Sequence, residues 1–231
     1  MDISILYEDS DVLVVNKPSS LIVHSDGRTN EPTLVDWVLG KYPEIKRVGD
    51  AARQGIVHRL DRETSGVMIV AKNQKAYDFL KGQFQSRSVE KIYHAFVYGR
   101  VKNDEGVIDR PIARSKRGGA LWSATRGKKG KERDAVTEYK VLRRGDGYSL
   151  VELRPLTGRT HQLRVHLKAI NYPVVCDKLY VPKKECILGF NRLALHARSL
   201  TLTLLGGKNI KIEAPYPNDF ENALKTANLE Y

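Results

Sequence analysis

The sequence predicts an α+β fold built on a mixed, largely antiparallel sheet. Hairpins outnumber alternating βαβ units along the chain, which argues against a Rossmann or TIM architecture. The 231 residues correspond to one large domain or two small ones, and 41% hydrophobic with 29% charged residues is a globular composition. A chain of this length buries roughly 70–75% of the surface it exposes when unfolded, so its core needs no disulfide or metal staple.

Residues 3–7 and 12–15 read as two short strands around a polar turn at 8–11. Asn16-Lys17-Pro18-Ser19-Ser20 then breaks regular structure. Leu34, Val35, Trp37 and Val38 mark a short helix that ends near Tyr42-Pro43. Residues 67–70 are an apolar run of strand length, and Ala76, Leu80 and Phe84, spaced by four, predict an amphipathic helix over 74–85. Residues 91–98 are β-branched and aromatic enough for a strand. A hairpin is expected from 135–142 and 149–153, turning at 143–147. Leu163, Leu167 and Ile170 stripe a helix over 161–170, with Thr160 as its N-cap. A second hairpin spans 195–205 and 209–213 around Gly206-Gly207, and 219–227 closes as a helix. Between them, 115–133 carries Lys116, Arg117, Arg126, Lys128, Lys129, Lys131 and Arg133 among glycines and is expected to be a mobile basic loop.

Charge narrows the partners. The sequence has 39 Lys+Arg against 27 Asp+Glu, a net charge of +12, which favours a polyanion, with nucleic acid ahead of an acidic membrane surface. No run approaches the ~18 apolar residues that a membrane span requires. The first residues show neither a secretory signal nor an Arg-rich transit pattern. Cys176 and Cys186 are the only cysteines, too few for a disulfide scaffold or zinc ribbon, and a reduced, cytoplasmic setting with free thiols is expected.

Two segments could carry chemistry. Val57-His58-Arg59-Leu60-Asp61-Arg62-Glu63-Thr64-Ser65-Gly66 puts a carboxylate between two arginines, in a turn before a buried strand. Asp61 could serve as nucleophile, base or metal ligand, and an adjacent Arg would keep it ionised; an Asx turn or a salt bridge is the commoner fate of a loop Asp. In Gly158-Arg159-Thr160-His161-Gln162-Leu163-Arg164, His161, Arg164 and Lys168 share a helix face opposite the apolar stripe. That face offers cations to a phosphate or carboxylate, or is simply a solvated polar face. Tyr93 on its strand could stack on an extruded base, or pack in the core. Kinase, P-loop, HExxH, G-x-S-x-G and zinc-deaminase patterns are all absent.

Together these segments resemble the RluA family of RNA pseudouridine synthases. The resemblance runs through Val14-Val15-Asn16-Lys17-Pro18-Ser19, His58-Arg59-Leu60-Asp61 with Thr64-Ser65-Gly66, Lys91-Ile92-Tyr93-His94-Ala95, Gly158 to His166, and Leu195-His196-Ala197. Five motifs in order cover nearly the whole chain. The resemblance implies a single pseudouridine synthase domain over 1–231, its mixed sheet in two halves with flanking helices and a central catalytic cleft. It implies a cofactor-free isomerisation in which Asp61 is essential, attacking C1′ or abstracting a C2′ proton. Tyr93 is expected to contact the target base, Arg164 to pair with Asp61, and Arg59 to fill the stack vacated by the flipped nucleotide. Arg62, Arg159, His161, Lys128 and Lys129 are expected to contact RNA. The pattern expects glycine where Ser20 and Cys176 stand, and the fifteen or so residues before Asn16 leave no room for the S4 domain of many relatives.

The expected function is therefore an RNA pseudouridine synthase acting on structured rRNA or tRNA, as a cytoplasmic monomer without metal, membrane or obligatory protein partner. Two other readings share the same residues. An RNA-binding protein of this fold would bind without product, and a carboxylate-dependent glycosidic hydrolase would release free uracil and place a second carboxylate near Asp61.

Overall fold

In the computed structural model, residues 3–25, 27, 30–119 and 121–227 are described. Their strands are β1 (Ser4–Glu8), β2 (Val12–Lys17), β3 (Ser65–Ala71), β4 (Glu90–Tyr98), β5 (Glu105–Asp109), β6 (Ile112–Ser115), β7 (Trp122–Ser123), β8 (Lys128–Arg133), β9 (Val136–Arg144), β10 (Tyr148–Pro155), β11 (Leu195–Thr203) and β12 (Asn209–Glu213). The α-helices are α1 (Leu34–Lys41), α2 (Gln74–Ser86), α3 (Gln162–Ala169) and α4 (Asn218–Thr226). The fold is α+β and its sheets are mainly antiparallel, as the hairpin pattern implies. Two compact units emerge: the described residues up to Lys91 with Ala197–Pro215, and Ile92–His196 with the described residues from Tyr216 onward.

In the first unit β1, β2, β3 and β11 follow one another across the sheet, and β12 pairs with β11. β2 and β3 are antiparallel with Val14 opposite Ile69. Their residues Val12–Val15 and Val67–Ala71 are buried consecutively rather than alternately, the mark of strands covered on both faces. Helix α1 starts with a capping box: the Thr33 hydroxyl accepts from the Asp36 amide while the Asp36 carboxylate accepts from the Thr33 amide. Asn73 caps α2 by accepting from the Ala76 amide at 2.9 Å. Gly66 sits at φ 116°, and a Cβ there would lie 2.2 Å from the Ala197 carbonyl oxygen, so only glycine lets β11 approach at that point.

Two polar side chains fix the segment between α1 and β3. Lys17 is fully buried, and its ammonium donates to the carbonyls of Pro18 (2.8 Å), Leu21 (2.9 Å) and Arg62 (3.1 Å). His58 stacks on Phe84 with ring centroids 4.6 Å apart, and its Nε2 accepts from the Ile69 amide at 3.1 Å. Burial, with the Lys91 ammonium nearby, pushes the His58 pKa down to about 3, which keeps the imidazole neutral and able to accept.

In the second unit β4, β10, β9 and β5 form an antiparallel run, with Val151 opposite both Ala95 and Val141. Phe96, Phe190 and Phe220 meet with centroids 5.2–5.6 Å apart at the centre of its core. Helices α3 and α4 bury Leu163, Leu167, Phe220 and Ala223 against that cluster.

Three expectations need correction. The 115–133 segment is not one loop: β7 and β8 flank β6 in a small three-stranded sheet. Ile112, Trp122 and Ala124 give it an apolar underside, and the Arg114 and Arg133 guanidiniums lie 4.5 and 5.6 Å from the Trp122 ring centre. Helix α3 has no Thr160 cap. His161 is its N-cap at φ 55° with no side-chain cap hydrogen bond, and the Gln162 carboxamide instead fixes the preceding turn by accepting from the Arg159 amide at 3.0 Å. Of the polar face, Arg164 is buried along with Leu163, Val165 and Leu167, while His161 and Lys168 keep partial exposure. Finally, Cys176 and Cys186 are not free thiols but a disulfide with Cα atoms 4.7 Å apart, which removes the cysteine-based ground for a reduced compartment.

Replacing Lys17 with Met would leave three carbonyls without their donor, at a cost of about 2–4 kcal/mol in urea unfolding; unchanged stability would show that the ammonium is dispensable. His58 is neutral in the fold but protonates near pH 6.5 when unfolded. Its contribution is therefore complete above pH 6.5 and is lost as pH falls toward 3, with buried His166 acting in the same direction. NMR should find no His58 titration between pH 8 and 5, and His58→Gln should flatten the loss of stability from pH 6.5 to 5. The disulfide closes a ten-residue separation, so Cys186→Ser should cost roughly 2–3 kcal/mol under non-reducing conditions and nothing with reductant present.

Candidate active site

The expected catalytic residues fall on both units. Asp61 lies in the first, half-buried in the turn between Leu60 and β3, and its carbonyl accepts from the Thr64 amide at 3.1 Å. The turn is anchored at both ends. Leu60 is buried on one side, Thr64 and Ser65 are buried on the other, and the Arg62 carbonyl is gripped by Lys17. The carboxylate is thus presented by a short, fixed loop, which is how a rigid scaffold positions a reacting group.

Arg62 and Arg59 flank it and are exposed. The Arg62 guanidinium makes a two-pronged ion pair with Glu31, with N–O distances of 3.1 and 2.6 Å. At a site this open such a pair is easily exchanged for a phosphate.

Tyr93 and Arg164 lie in the second unit. Tyr93 is half-buried in β4, opposite Leu153 of β10, with its ring against the core cluster. Arg164 is 8% exposed. Its Nε donates to Asp177 Oδ2 at 2.8 Å and its Nη2 to Oδ1 at 2.7 Å. Asp177 is 1% exposed, and its Oδ1 also accepts the amides of Leu179 (3.2 Å) and Tyr180 (3.1 Å). Two guanidinium donors and two amides compensate a carboxylate that would otherwise be costly to bury. The guanidinium is held in one plane by that fork.

Tyr180 lies beneath the same helix. The Arg164 guanidinium sits 5.0 Å from its ring centre and the Lys168 ammonium 5.7 Å. Lys168 also donates to the Tyr180 carbonyl at 2.7 Å, and burial, then Arg117, draws its pKa below the ordinary lysine value. The Tyr180 hydroxyl is 2.9 Å from His161 Nδ1 and accepts from the Trp122 amide at 3.1 Å.

The remaining predicted RNA contacts are spread over the second unit. Arg159 donates to the Asp134 carbonyl at 3.1 Å, Lys128 pairs with Glu132 at 2.7 Å, and Lys129 is exposed on β8. Sequence reasoning assigned no role to Lys17, Asp177 or Tyr180. Lys17 was visible inside the Asn-Lys-Pro motif, and Asp177 and Tyr180 stand three apart, a spacing that suits a carboxylate accepting the amide of the third residue on. Among the described residues no cluster of His, Cys, Asp and Glu could hold a metal ion, and no helix is long and apolar enough to cross a membrane.

Comparison with known proteins joins these observations. Residues 11–169 match the family model described as RNA pseudouridylate synthase. An uncharacterized RNA pseudouridine synthase of Bacillus subtilis (strain 168) is 40% identical over 226 residues, covering 97% of this chain and 73% of that protein. The ribosomal large subunit pseudouridine synthase D of Neisseria meningitidis serogroup B is 40% identical over 241 residues, covering all of this chain and 62% of that protein. Among solved structures, human RNA Pseudouridylate Synthase Domain Containing 4 superposes with a TM-score of 0.78 at 30% identity, over 99% of this chain and 94% of that one. The motifs, the α+β fold and these likenesses agree, and the chain belongs to the RluA family of RNA pseudouridine synthases, isomerases that modify RNA.

Proposed function

We propose that this enzyme isomerises uridines in structured RNA by a mechanism that depends on Asp61 and extrudes the target base from its stack. The observation that carries this is the Asp61 turn, a half-buried carboxylate on a loop clamped by Lys17, within the motif where the family has its essential aspartate. The chemistry closes without a co-reactant. The N1–C1′ bond breaks, the uracil turns while bound, the C5–C1′ bond forms, C5 loses a proton and N1 gains one. Asp61 engages the ribose. Tyr93 contacts the uracil, and Arg164 is the arginine that pairs with the reacting carboxylate. The fork from Asp177 supports that role, because it fixes the guanidinium's orientation in advance.

Extrusion costs a few kcal/mol of unstacking, which Arg59 offsets by occupying the gap. Phosphate contacts supply the rest from Arg62, Arg159, His161, Lys128 and Lys129, in line with the net charge of +12. Large-subunit rRNA is the favoured substrate, on the 40% identity to a ribosomal large subunit pseudouridine synthase, with tRNA the second candidate. The enzyme works as a monomer.

Wild type, Asp61→Asn and Asp61→Ala should each be incubated with unmodified rRNA and tRNA, and pseudouridines mapped by carbodiimide labelling and primer extension. Both variants should lose roughly a thousandfold or more of product while RNA binding stays within a few fold. Substantial product from either would remove Asp61 from the reaction. Free uracil from the wild type would instead identify a hydrolase.

A further inference from the structure

Tyr180 stands where three parts of the second unit meet. Its hydroxyl accepts from the backbone of β7 in the small basic sheet, through the Trp122 amide at 3.1 Å, and lies 2.9 Å from His161 Nδ1 at the start of α3. Its ring carries the Arg164 guanidinium at 5.0 Å. Its amide donates to the same Asp177 oxygen, Oδ1, that accepts from Arg164 Nη2. The side chain is 6% exposed and packs with Ile112, Trp122 and Val165, so its ring has little freedom to reorient. A phenylalanine would fill the same space. The hydroxyl is placed where only a polar group can join β7 to His161, a residue held at the left-handed φ of 55° that few non-glycine residues adopt.

We propose that Tyr180 is a positioning residue through which RNA bound on the β6–β8 sheet sets the orientation of His161 and Arg164. The inference rests on the reading of Asp61 and Arg164 given above. Phosphates drawn to exposed Lys129 and its neighbours press on a sheet whose backbone is tied, by one hydrogen bond, to the side chain under the arginine. Binding and chemistry are then linked through a single hydroxyl. Affinity for RNA belongs to the lysines, and the rate once RNA is bound depends on Tyr180.

The test uses the full chain and an unmodified RNA on which wild type makes product. Tyr180→Phe removes the hydroxyl and keeps the ring; Tyr180→Leu removes both. Tyr180→Phe should lower kcat about three- to tenfold, with KM and the RNA dissociation constant within about twofold of wild type, and Tyr180→Leu should lower kcat further. Lys129→Gln should raise KM in both backgrounds but lower kcat only where the Tyr180 hydroxyl is present, a non-additivity in kcat that loss of packing alone would not produce. Thermal melting of each variant sets an assay temperature at which all are folded. A Tyr180→Phe enzyme with wild-type kcat there, or strictly additive effects with Lys129→Gln, would overturn the proposal. Asp61→Asn runs alongside. If it retains activity, the assignment of Asp61 fails whatever Tyr180 does; if it is inactive while Tyr180→Phe matches wild type, the coupling alone fails.

Discussion

The buried ammonium of Lys17 is the constraint on which the first unit's functional loop depends. A lysine with no exposed surface is rare, because desolvating a charge is expensive unless its donors are all engaged. An ammonium has three donors. Here three carbonyls receive them, two from the turn after β2 and one from Arg62, 45 residues further on. The bond to Arg62 is the only one of the three that is not local. It ties the end of a central strand to the residue next to Asp61, so the carboxylate's position is inherited from the sheet and not from the loop's own preferences. Neutral His58 does similar work on the other side, accepting the Ile69 amide from within β3.

The second unit solves a related problem by the opposite means. There the buried charge is Arg164, and its partner is a carboxylate that is itself almost fully enclosed. A buried ion pair is weak evidence for stability, since an apolar pair of the same shape often does as well. It is better evidence for a requirement on orientation. The fork from Asp177 leaves the guanidinium one attitude, and the Tyr180 ring closes off another side. Arginine suits this where lysine would not, because its planar fork keeps its geometry while bonding to two oxygens.

Most of the fold was legible because its signals are local. Hairpins, the N-terminus of α2 and the stripe of α3 lie within a few residues of their causes. The basic segment misled because its glycines and lysines look like a loop, while the residues that order β7 and β8 are Ile112, Trp122 and Tyr180, the last 58 residues beyond Trp122. The polar face of α3 stayed open between two readings for the same reason: what buries Arg164 is Asp177, 13 residues further on, and what satisfies His166 is Thr137 and the Arg110 carbonyl, each 2.9 Å from a ring nitrogen. Buried polar residues carry their explanation in distant partners. The motif containing Asp61 was legible by resemblance, whereas the reason for its rigidity was not.

Two departures from the family pattern now have a physical meaning. Ser20 and Cys176 stand where glycine is expected, and both have left-handed backbones, at φ 66° and 58°. A side chain there costs on the order of 1 kcal/mol against glycine. Each position adjoins a buried charged clamp: Ser20 lies between Pro18 and Leu21, whose carbonyls bind Lys17, and Cys176 immediately precedes Asp177. At Cys176 the strained residue is also the one that is cross-linked, to Cys186. The cross-link restricts the unfolded chain and so offsets a backbone cost in the folded one. The pairing of these two cysteines thus offsets, in the balance between folded and unfolded chain, the cost of a non-glycine residue beside the carboxylate that holds Arg164.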